Sequence, residues 1–258
     1  TGRSLEMVAP THGQLCRLRN GRQIQGGLLE QVQELSQAKS FFHWPLEFAE
    51  VAEQGGFDCV LGNPPWERIK LQEQEFFAQH DPDIATIATK AARQKMIESL
   101  TKKNPLLAEE FSEAKRLAEA SMKFVRYSKR YPFTSQGDVN TYAIFAELAH
   151  TLIGGQSYAG IIVPTGIATD ETYSQFFDNL IQRKSLLKLY DFKNSDGIFP
   201  RVDSNMRFCL LSMVNGVKSG NEPEFSFFVR NINELHNHYR KFTIPSNSIT
   251  KFNPNTRT

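Results

Sequence analysis

The alternation of apolar runs with amphipathic segments in the second half of the chain most constrains its fold. Strand-like runs occupy 157–164, 185–192 and 207–214, and helical patterns cover 137–155 and 170–184. An earlier apolar run, FDCVLG at 57–62, predicts a further buried strand. This order predicts an open α/β sheet that is largely parallel, with the strands at 185–192 and 207–214 paired as an antiparallel hairpin. The run 222–231 is a further possible strand.

A charged segment separates the first predicted strand from the others. Residues 67–136 are rich in Ala, Glu, Lys and Arg and predict a helical insertion of two helices, broken near 102–105. We therefore predict three regions: an N-terminal connecting helical region (1–56), a sheet domain containing the insertion (57–220) and the start of a connector (221–258).

Composition limits the class of protein. The chain has 258 residues, 40% hydrophobic and 22% charged, which suits one large α/β domain. The net charge of +2 means that any basic, nucleic-acid-binding surface must be local. Three cysteines without CxxC spacing predict buried thiols in a reducing compartment, with no disulfide framework and no zinc site. No apolar run is long enough to span a membrane and no signal peptide is visible, so we predict a cytoplasmic location.

The stretch Gly-Asn-Pro-Pro-Trp, which ends the first predicted strand, is the strongest candidate site, because ligands of open α/β sheets bind beyond the carboxyl ends of strands. Asn63 supplies a side-chain carbonyl acceptor and Pro64 a backbone carbonyl acceptor. Pro64 and Pro65 keep the turn rigid. Gly62 allows a ligand to approach the backbone closely, and Trp66 offers a π face worth roughly 1–3 kcal/mol to a stacked base.

These groups suit an exocyclic aromatic amine. Such an amine is a poor nucleophile because its lone pair is delocalised into the ring. Hydrogen bonds from both of its hydrogens to fixed acceptors stabilise the positive charge that develops as the nitrogen attacks an electrophile. No general base is needed before the bond forms. The alternative is a proline-rich turn with an ordinary packed Trp, but such a four-residue pattern arises by chance in only about a few chains in a thousand.

FDCVLGNPPW resembles the catalytic motif (Asn/Asp/Ser)-Pro-Pro-(Tyr/Phe/Trp) of amino-methyltransferases that use S-adenosylmethionine. The wider run FHWPLEFAEVAEQGGFDCVLGNPPWERIK is similar to N6-adenine DNA methyltransferases of type II restriction–modification enzymes that fuse methylase and nuclease (type IIG-like), and to related methylases of phage defence. The similarity continues through 137–170, 186–211 and the final NPNTRT, and so covers most of the chain.

The resemblance implies a partial class I methyltransferase (Rossmann-like) sheet, with S-adenosylmethionine as cofactor and double-stranded DNA as partner. A nuclease domain or subunit could accompany it. The target adenine is flipped out of the duplex in this family. Asn63 and the Pro64 carbonyl would then bind its amine, with Trp66 stacked on the ring. Gly62 and Asn63 would form part of the cofactor site.

Two further elements are candidates for DNA contact. Phe199, in the loop between the last two strands, resembles the aromatic residue that covers the other face of the base; a loop Phe packed into the core is the alternative. KFVRYSKRY at 123–131 interleaves aromatic and basic residues, and its cations could contact phosphates, although a solvated helix face is an equal alternative. These cations are Lys123, Arg126, Lys129 and Arg130.

The cofactor motif of this family, a strand ending in a turn such as Phe-x-Gly-x-Gly, should lie upstream of the candidate loop, and nothing in residues 1–56 fits it. We therefore expect this chain to lack the first three strands of the sheet and the target-recognition domain, which would follow residue 258. We expect the chain alone to be inactive.

Two other functions remain open from the sequence. Asn-Pro-Pro-aromatic loops also serve amino-methyltransferases of RNA adenine and of protein glutamine. A non-catalytic nucleic-acid-binding module could also retain the pocket without turnover. The long helical insertion and the extended similarity favour DNA.

Overall fold

The computed structural model describes residues 11–23, 27–216 and 222–252, which belong to two compact units, Thr1–Glu53 and Gln54–Thr258. The terminal NPNTRT of the sequence similarity lies outside the described residues. The described part of the first unit is helical: α1 His12–Arg19, α2 Leu28–Lys39, α3 Trp44–Glu47 and α4 Ala49–Glu53.

The second unit is built on a mixed sheet. Its described strands are β1 Phe57–Gly62, β2 Ile153–Pro164, β3 Leu186–Lys193, β4 Arg207–Val214, β5 Glu224–Val229 and β6 Phe242–Thr243. Their order is β1-β2-β4-β3-β5-β6. β1 is parallel to β2 and β3 is parallel to β5, whereas β4 is antiparallel to both β2 and β3. β1, β2, β3 and β5 therefore point the same way.

The predicted antiparallel pairing of β3 with β4 is confirmed, but the sheet is less parallel than predicted. β4 inserts between β2 and β3, and β6 pairs antiparallel with β5, so antiparallel pairings outnumber parallel ones among the described strands. The mostly apolar sequence of β4 suits this central place, because most of its side chains are buried.

β1 is more exposed than predicted. Among the described strands only β2 pairs with it, and Leu61 is 79% exposed. Cys59 in the same strand and Cys16 in α1 are also exposed, so the prediction of buried thiols holds only for Cys209. Burial raises the pKa of the Cys209 thiol, which keeps it protonated.

The helices of the second unit occupy both the insertion and the sheet region. They are α5 Glu73–His80, α6 Pro82–Ala85, α7 Lys90–Lys103, α8 Pro105–Tyr127, α9 Thr141–Leu152, α10 Gly166–Thr169, α11 Ser174–Gln182 and α12 Ser246–Phe252. α9, α10 and α11 bury apolar residues in the largest core cluster, which also contains side chains of the sheet.

The insertion has more helices than predicted. The predicted break at 102–105 is confirmed, since α7 ends at Lys103 and α8 begins at Pro105. α5 and α6 precede them, because Pro82 cannot continue the helix that ends at His80 but suits the first position of a new one. Side chains of α5 to α8 form a hydrophobic cluster of their own around Phe77 and Phe111.

The predicted helix over 137–155 is shorter at both ends. It begins at Thr141 because the backbone before it pairs with the chain after β1: Ile69 N–H donates to Val139 O, and Arg68 bridges Asn140. It ends at Leu152, where β2 starts. Gly56 lies against this junction with φ +126°, and a Cβ there would lie 2.6 Å from the carbonyl oxygen of Leu152, so only glycine fits.

The sheet continues beyond residue 220, in the run 222–231 that the sequence predicts as a further possible strand and that lies at the start of the predicted connector. β5 pairs with β3 along 224–229, and Ile249 of α12 is buried in the largest core cluster. The described helices are all either too short or too polar to cross a membrane.

Candidate functional site

The Asn-Pro-Pro-Trp stretch lies at the carboxyl edge of the sheet. β1 ends at Gly62 beside β2, and Pro164 at the end of β2 pairs with Phe208 of β4. Phe208 also pairs with Phe192 near the end of β3. The ends of several strands therefore place side chains at one edge, together with residues 63–66.

Thr141, the first residue of α9, holds the far end of this loop. Its hydroxyl oxygen lies 2.7 Å from the carbonyl oxygen of Pro65 and 3.1 Å from the carbonyl oxygen of Glu67. The hydroxyl can donate its hydrogen to either carbonyl. It also accepts from Glu67 N–H at 3.1 Å, and Thr141 N–H donates to Glu67 O at 2.8 Å. The loop is thus attached to α9 by side-chain and backbone bonds.

A buried tyrosine holds the segment that precedes α9. Tyr173 is 1% exposed, and its hydroxyl donates to the Asp138 carbonyl and accepts from the Asn140 side-chain amide. Residues 138–140 pair with the chain at 68–69, which directly follows the loop. The bonds of Tyr173 therefore also stabilise the position of the loop.

Trp66 is half-buried and fixed. Its Nε1–H donates to the carbonyl of Ile162 in β2 at 3.3 Å. The indole contacts Phe208, with ring centroids 6.1 Å apart, and Phe199, 6.0 Å away at an interplanar angle of 82°. The structure therefore brings together the two rings predicted to bind a base.

Those two rings contact each other edge to face. A base between parallel rings needs about 7 Å, twice the roughly 3.4 Å separation of stacked bases. Asn194, which is buried, fixes the backbone at Phe199: its Oδ1 accepts from Phe199 N–H at 2.9 Å and its Nδ2 donates to Phe199 O at 3.0 Å. Base binding between the rings would thus require the Phe199 side chain to turn.

Asn63 is exposed, and its side chain has no hydrogen-bond partner among the described residues. The carbonyl of Pro64 is equally without a donor in the described chain. No described atom lies within 4 Å of a Cβ built on Gly62, and its φ is not positive, so neither packing nor backbone conformation requires glycine there. Space beside Gly62 is therefore available to a ligand.

A buried carboxylate joins the ends of the neighbouring strands. Asp191 is 0% exposed and accepts from Thr165 Oγ1 at 2.7 Å and from Arg207 Nη2 at 2.6 Å. It also accepts from Phe228 N–H at 3.0 Å. Sequence reasoning missed Asp191, Thr141 and Asn194. A signal existed only for Asp191, as an acid inside the apolar run 185–192.

The basic segment lies at the end of α8 and just beyond it. All four predicted cations are exposed, as are the Phe124 and Tyr127 rings between them, at 53% and 79%. Arg126 donates to the Gly137 carbonyl at 2.8 Å, directly before the segment that pairs with residues 68–69. The segment is thus connected to the backbone that supports the loop.

No group of three or more metal-ligating side chains occurs within the described parts of the chain.

Several solved structures are similar to parts of the chain. The ATP-dependent Type ISP restriction–modification enzyme LlaBIII, bound to DNA, has 11% identity over 67% of this chain and 10% of its own, with a TM-score of 0.33. A protein from Listeria monocytogenes described as a class I S-adenosylmethionine-dependent methyltransferase has 10% identity over 79% of this chain and 44% of its own (TM-score 0.34). The type IIG restriction endonuclease BpuSI has 16% identity over 68% of this chain and 15% of its own (TM-score 0.34).

The chain thus spans 10% to 44% of the lengths of these structures. No curated protein sequence matches it. The sequence model of the Eco57I restriction-modification methylases matches residues 13–113 and 109–199, which is more than half of the chain and includes the Asn-Pro-Pro-Trp loop. The chain therefore belongs to the Eco57I restriction-modification methylase family.

Proposed function

We propose that the protein acts as an adenine-specific DNA methyltransferase of a restriction–modification or phage-defence system, and that it methylates the N6 amine of an adenine flipped out of the duplex. One observation carries the proposal: Asn63 presents an unpartnered amide on a loop that is clamped at the carboxyl edge of the sheet. The family supports methyl transfer as the reaction.

The residues of the loop would act on the amine by position and charge. The Asn63 Oδ1 and the Pro64 carbonyl accept the two N6 hydrogens. As the nitrogen attacks, these acceptors stabilise its growing positive charge, and the proton leaves afterwards. Thr141 keeps the loop in place, so the acceptors need no reorganisation during the reaction.

The aromatic residues would hold the base. Trp66 supplies a fixed face, since its Nε1–H bond to Ile162 O orients the indole. Phe199 turns away from its edge-to-face contact with Trp66 and covers the second face. Each stacked ring is worth roughly 1–3 kcal/mol to base binding.

S-adenosylmethionine, when bound, supplies an electrophilic methyl group. Gly62 and Asn63 fit one part of such a ligand, because the space beside Gly62 is open and Asn63 is exposed next to it.

Double-stranded DNA is the proposed substrate, with Lys123, Arg126, Lys129 and Arg130 on its phosphates. Their exposure, shared with Phe124 and Tyr127, supports this role. A nuclease domain or subunit is the proposed partner, and the cytoplasm the proposed location.

The test is the Asn63→Ala variant of the natural full-length protein. Loss of one fixed acceptor should lower the rate of adenine methylation by roughly a hundredfold or more, with DNA binding unchanged. Incorporation of labelled methyl groups into duplex DNA measures the rate, and a band-shift assay measures binding.

Asn63→Asp is the matched control, because it keeps an acceptor at the same position and should retain part of the activity. Duplex DNA and RNA of the same sequence separate the two adenine substrates. Methylation by Asn63→Ala at the wild-type rate would contradict the proposal.

A further inference from the structure

A second group of side chains surrounds a cavity at the same edge of the sheet. The cavity has a volume of about 600 Å³ and lies at the ends of β3 and β5, the last residues of which are Lys193 and Val229. We call it the β3–β5 pocket. It is lined by Lys193, Phe228, Arg230, Glu234 and Arg240.

The pocket carries an excess of positive charge. Its acid, Glu234, is neutralised by Arg240, with Nη2 2.6 Å from Oε2, and also accepts from Arg230 N–H at 3.0 Å. The side chains of Lys193 and Arg230 have no ion-pair or hydrogen-bond partner within the described ranges. Two cations at a concave site attract anions more strongly than they would on a flat surface.

Arg240 has one N–H group without a hydrogen-bond acceptor among the described residues. Its Nη2 donates to Phe228 O at 3.1 Å in addition to Glu234. Its Nε is buried and has no acceptor among the described residues. A buried N–H without an acceptor is unfavourable, so Arg240 is held in place by its Nη2 bonds to Glu234 and Phe228.

Phe228 presents an exposed ring beside these cations. The ring is 63% exposed, the residue has φ +57°, and its N–H is held by the buried Asp191. The Arg207 guanidinium, itself bound to Asp191, lies 4.7 Å from the ring centroid. A side chain at positive φ with an apolar ring in solvent is costly for folding, and here a buried network maintains it.

We propose that the β3–β5 pocket binds a phosphodiester of the nucleic acid substrate, with Lys193 and Arg230 on the phosphate oxygens and Phe228 against the adjoining sugar or base. The proposal rests on the proposed function, which makes nucleic acid the substrate. With strands about 4.8 Å apart, the pocket lies roughly 15–20 Å from the end of β1, so one duplex can reach both places.

The experiment measures binding of a fluorescein-labelled duplex of about 20 base pairs to the full chain, by anisotropy, between about 50 and 200 mM salt. The double variant Lys193→Gln/Arg230→Gln should weaken binding about tenfold and lower the slope of log K against log salt by about two. The control, Lys102→Gln/Lys103→Gln, removes the same charge from exposed residues at the end of α7 and should weaken binding less than about twofold.

Phe228→Gly separates folding from binding. Glycine adopts positive φ without strain, so this variant should keep the melting temperature of the wild type while binding the duplex about tenfold more weakly.

Equal losses in the two double variants would overturn the proposal, since net charge alone would explain them. Unchanged binding by the pocket variants would overturn it as well, and so would a wild-type chain that does not bind the duplex at low salt. The Asn63→Ala test is independent: it reports methylation, whereas the pocket variants report binding. Failure of one proposal is therefore distinguishable from failure of the other.

Discussion

Thr141 shows how a single residue can determine the geometry of a loop that is distant in sequence. Its hydroxyl bonds with Pro65 and Glu67, which lie 76 and 74 residues earlier. Asn63 and Pro64 have no described partner of their own, so their placement depends on this attachment and on the fixed Trp66. Thr141 is a positioning residue in our proposal, because it acts through the loop.

We expect Thr141→Val to reduce the free energy of unfolding by about 1–2 kcal/mol, because it leaves the polar groups of Pro65 and Glu67 without this partner. Methyl transfer by the full-length protein should fall roughly tenfold, since the acceptors of the loop lose their fixed position. Urea denaturation and initial rates measure the two effects.

Thr141→Ser keeps the hydroxyl and should retain both the stability and the rate of the wild type. A Thr141→Val protein with an unchanged rate would show that the bond to Pro65 does not position the loop.

At the level of residues, the sequence could propose only candidates whose chemistry is visible in a short stretch. Asn63, Pro64 and Trp66 form one motif, and the structure places Phe199 against Trp66 as well. Thr141 and Asn194 could not be found, because polar residues near helix ends and turns are common and only the folded chain shows what they bind.

Helix α9 contains a histidine whose ring is largely buried by the core. His150 lies in its last turn, and its Nε2 is buried without a partner in the described chain. Burial lowers the pKa of His150 below 6.5, a hydrogen bond with the backbone of Val214 opposes this, and the charge of Arg183 adds to it. The folded protein therefore disfavours protonated His150.

The free energy of unfolding therefore depends on pH. Because the unfolded chain binds the proton more readily, stability is full above pH 6.5 and falls as the pH drops below it towards the folded-state pKa. We expect His150→Gln to reduce the loss of stability between about pH 7.5 and pH 5. Urea denaturation at about pH 7.5 and at about pH 5 measures this loss for both proteins.

His80→Gln is the control, because it removes an exposed histidine of α5 in place of the buried one. A His150→Gln protein that loses stability as steeply as the wild type would contradict this assignment.

At the level of elements, periodicity predicted most strands and helices but not their ends or neighbours. The helix after residue 137 begins late because residues 138–140 pair with the chain after β1. β1 has the composition of a buried strand, yet only one described strand pairs with it. Both outcomes depend on partners distant in sequence, which a local pattern cannot reveal.

In the whole molecule, two compact units divide the chain at Glu53 and Gln54. The hydrophobic clusters of the described residues consist of side chains from the second unit, from Val60 to Ile249. A unit with its own core can in principle fold alone.

We therefore expect a shortened chain that begins at Gln54 to unfold cooperatively, with a melting temperature within about 5 °C of the full chain. Thermal unfolding followed by circular dichroism measures this. A broad or absent transition would show that the boundary between the two units is not a folding boundary.

The sequence by itself determined the α/β class, the break before α8, the antiparallel pairing of β3 with β4 and the loop that carries the candidate chemistry. These follow from local hydrophobic periodicity, from proline and glycine, and from a four-residue motif. Only the tertiary structure decided that β4 lies between β2 and β3, that Thr141 clamps the loop, that Trp66 and Phe199 meet edge to face, and that the β3–β5 pocket exists. Each of these depends on contacts between residues far apart in the chain, and such contacts form only when the core packs.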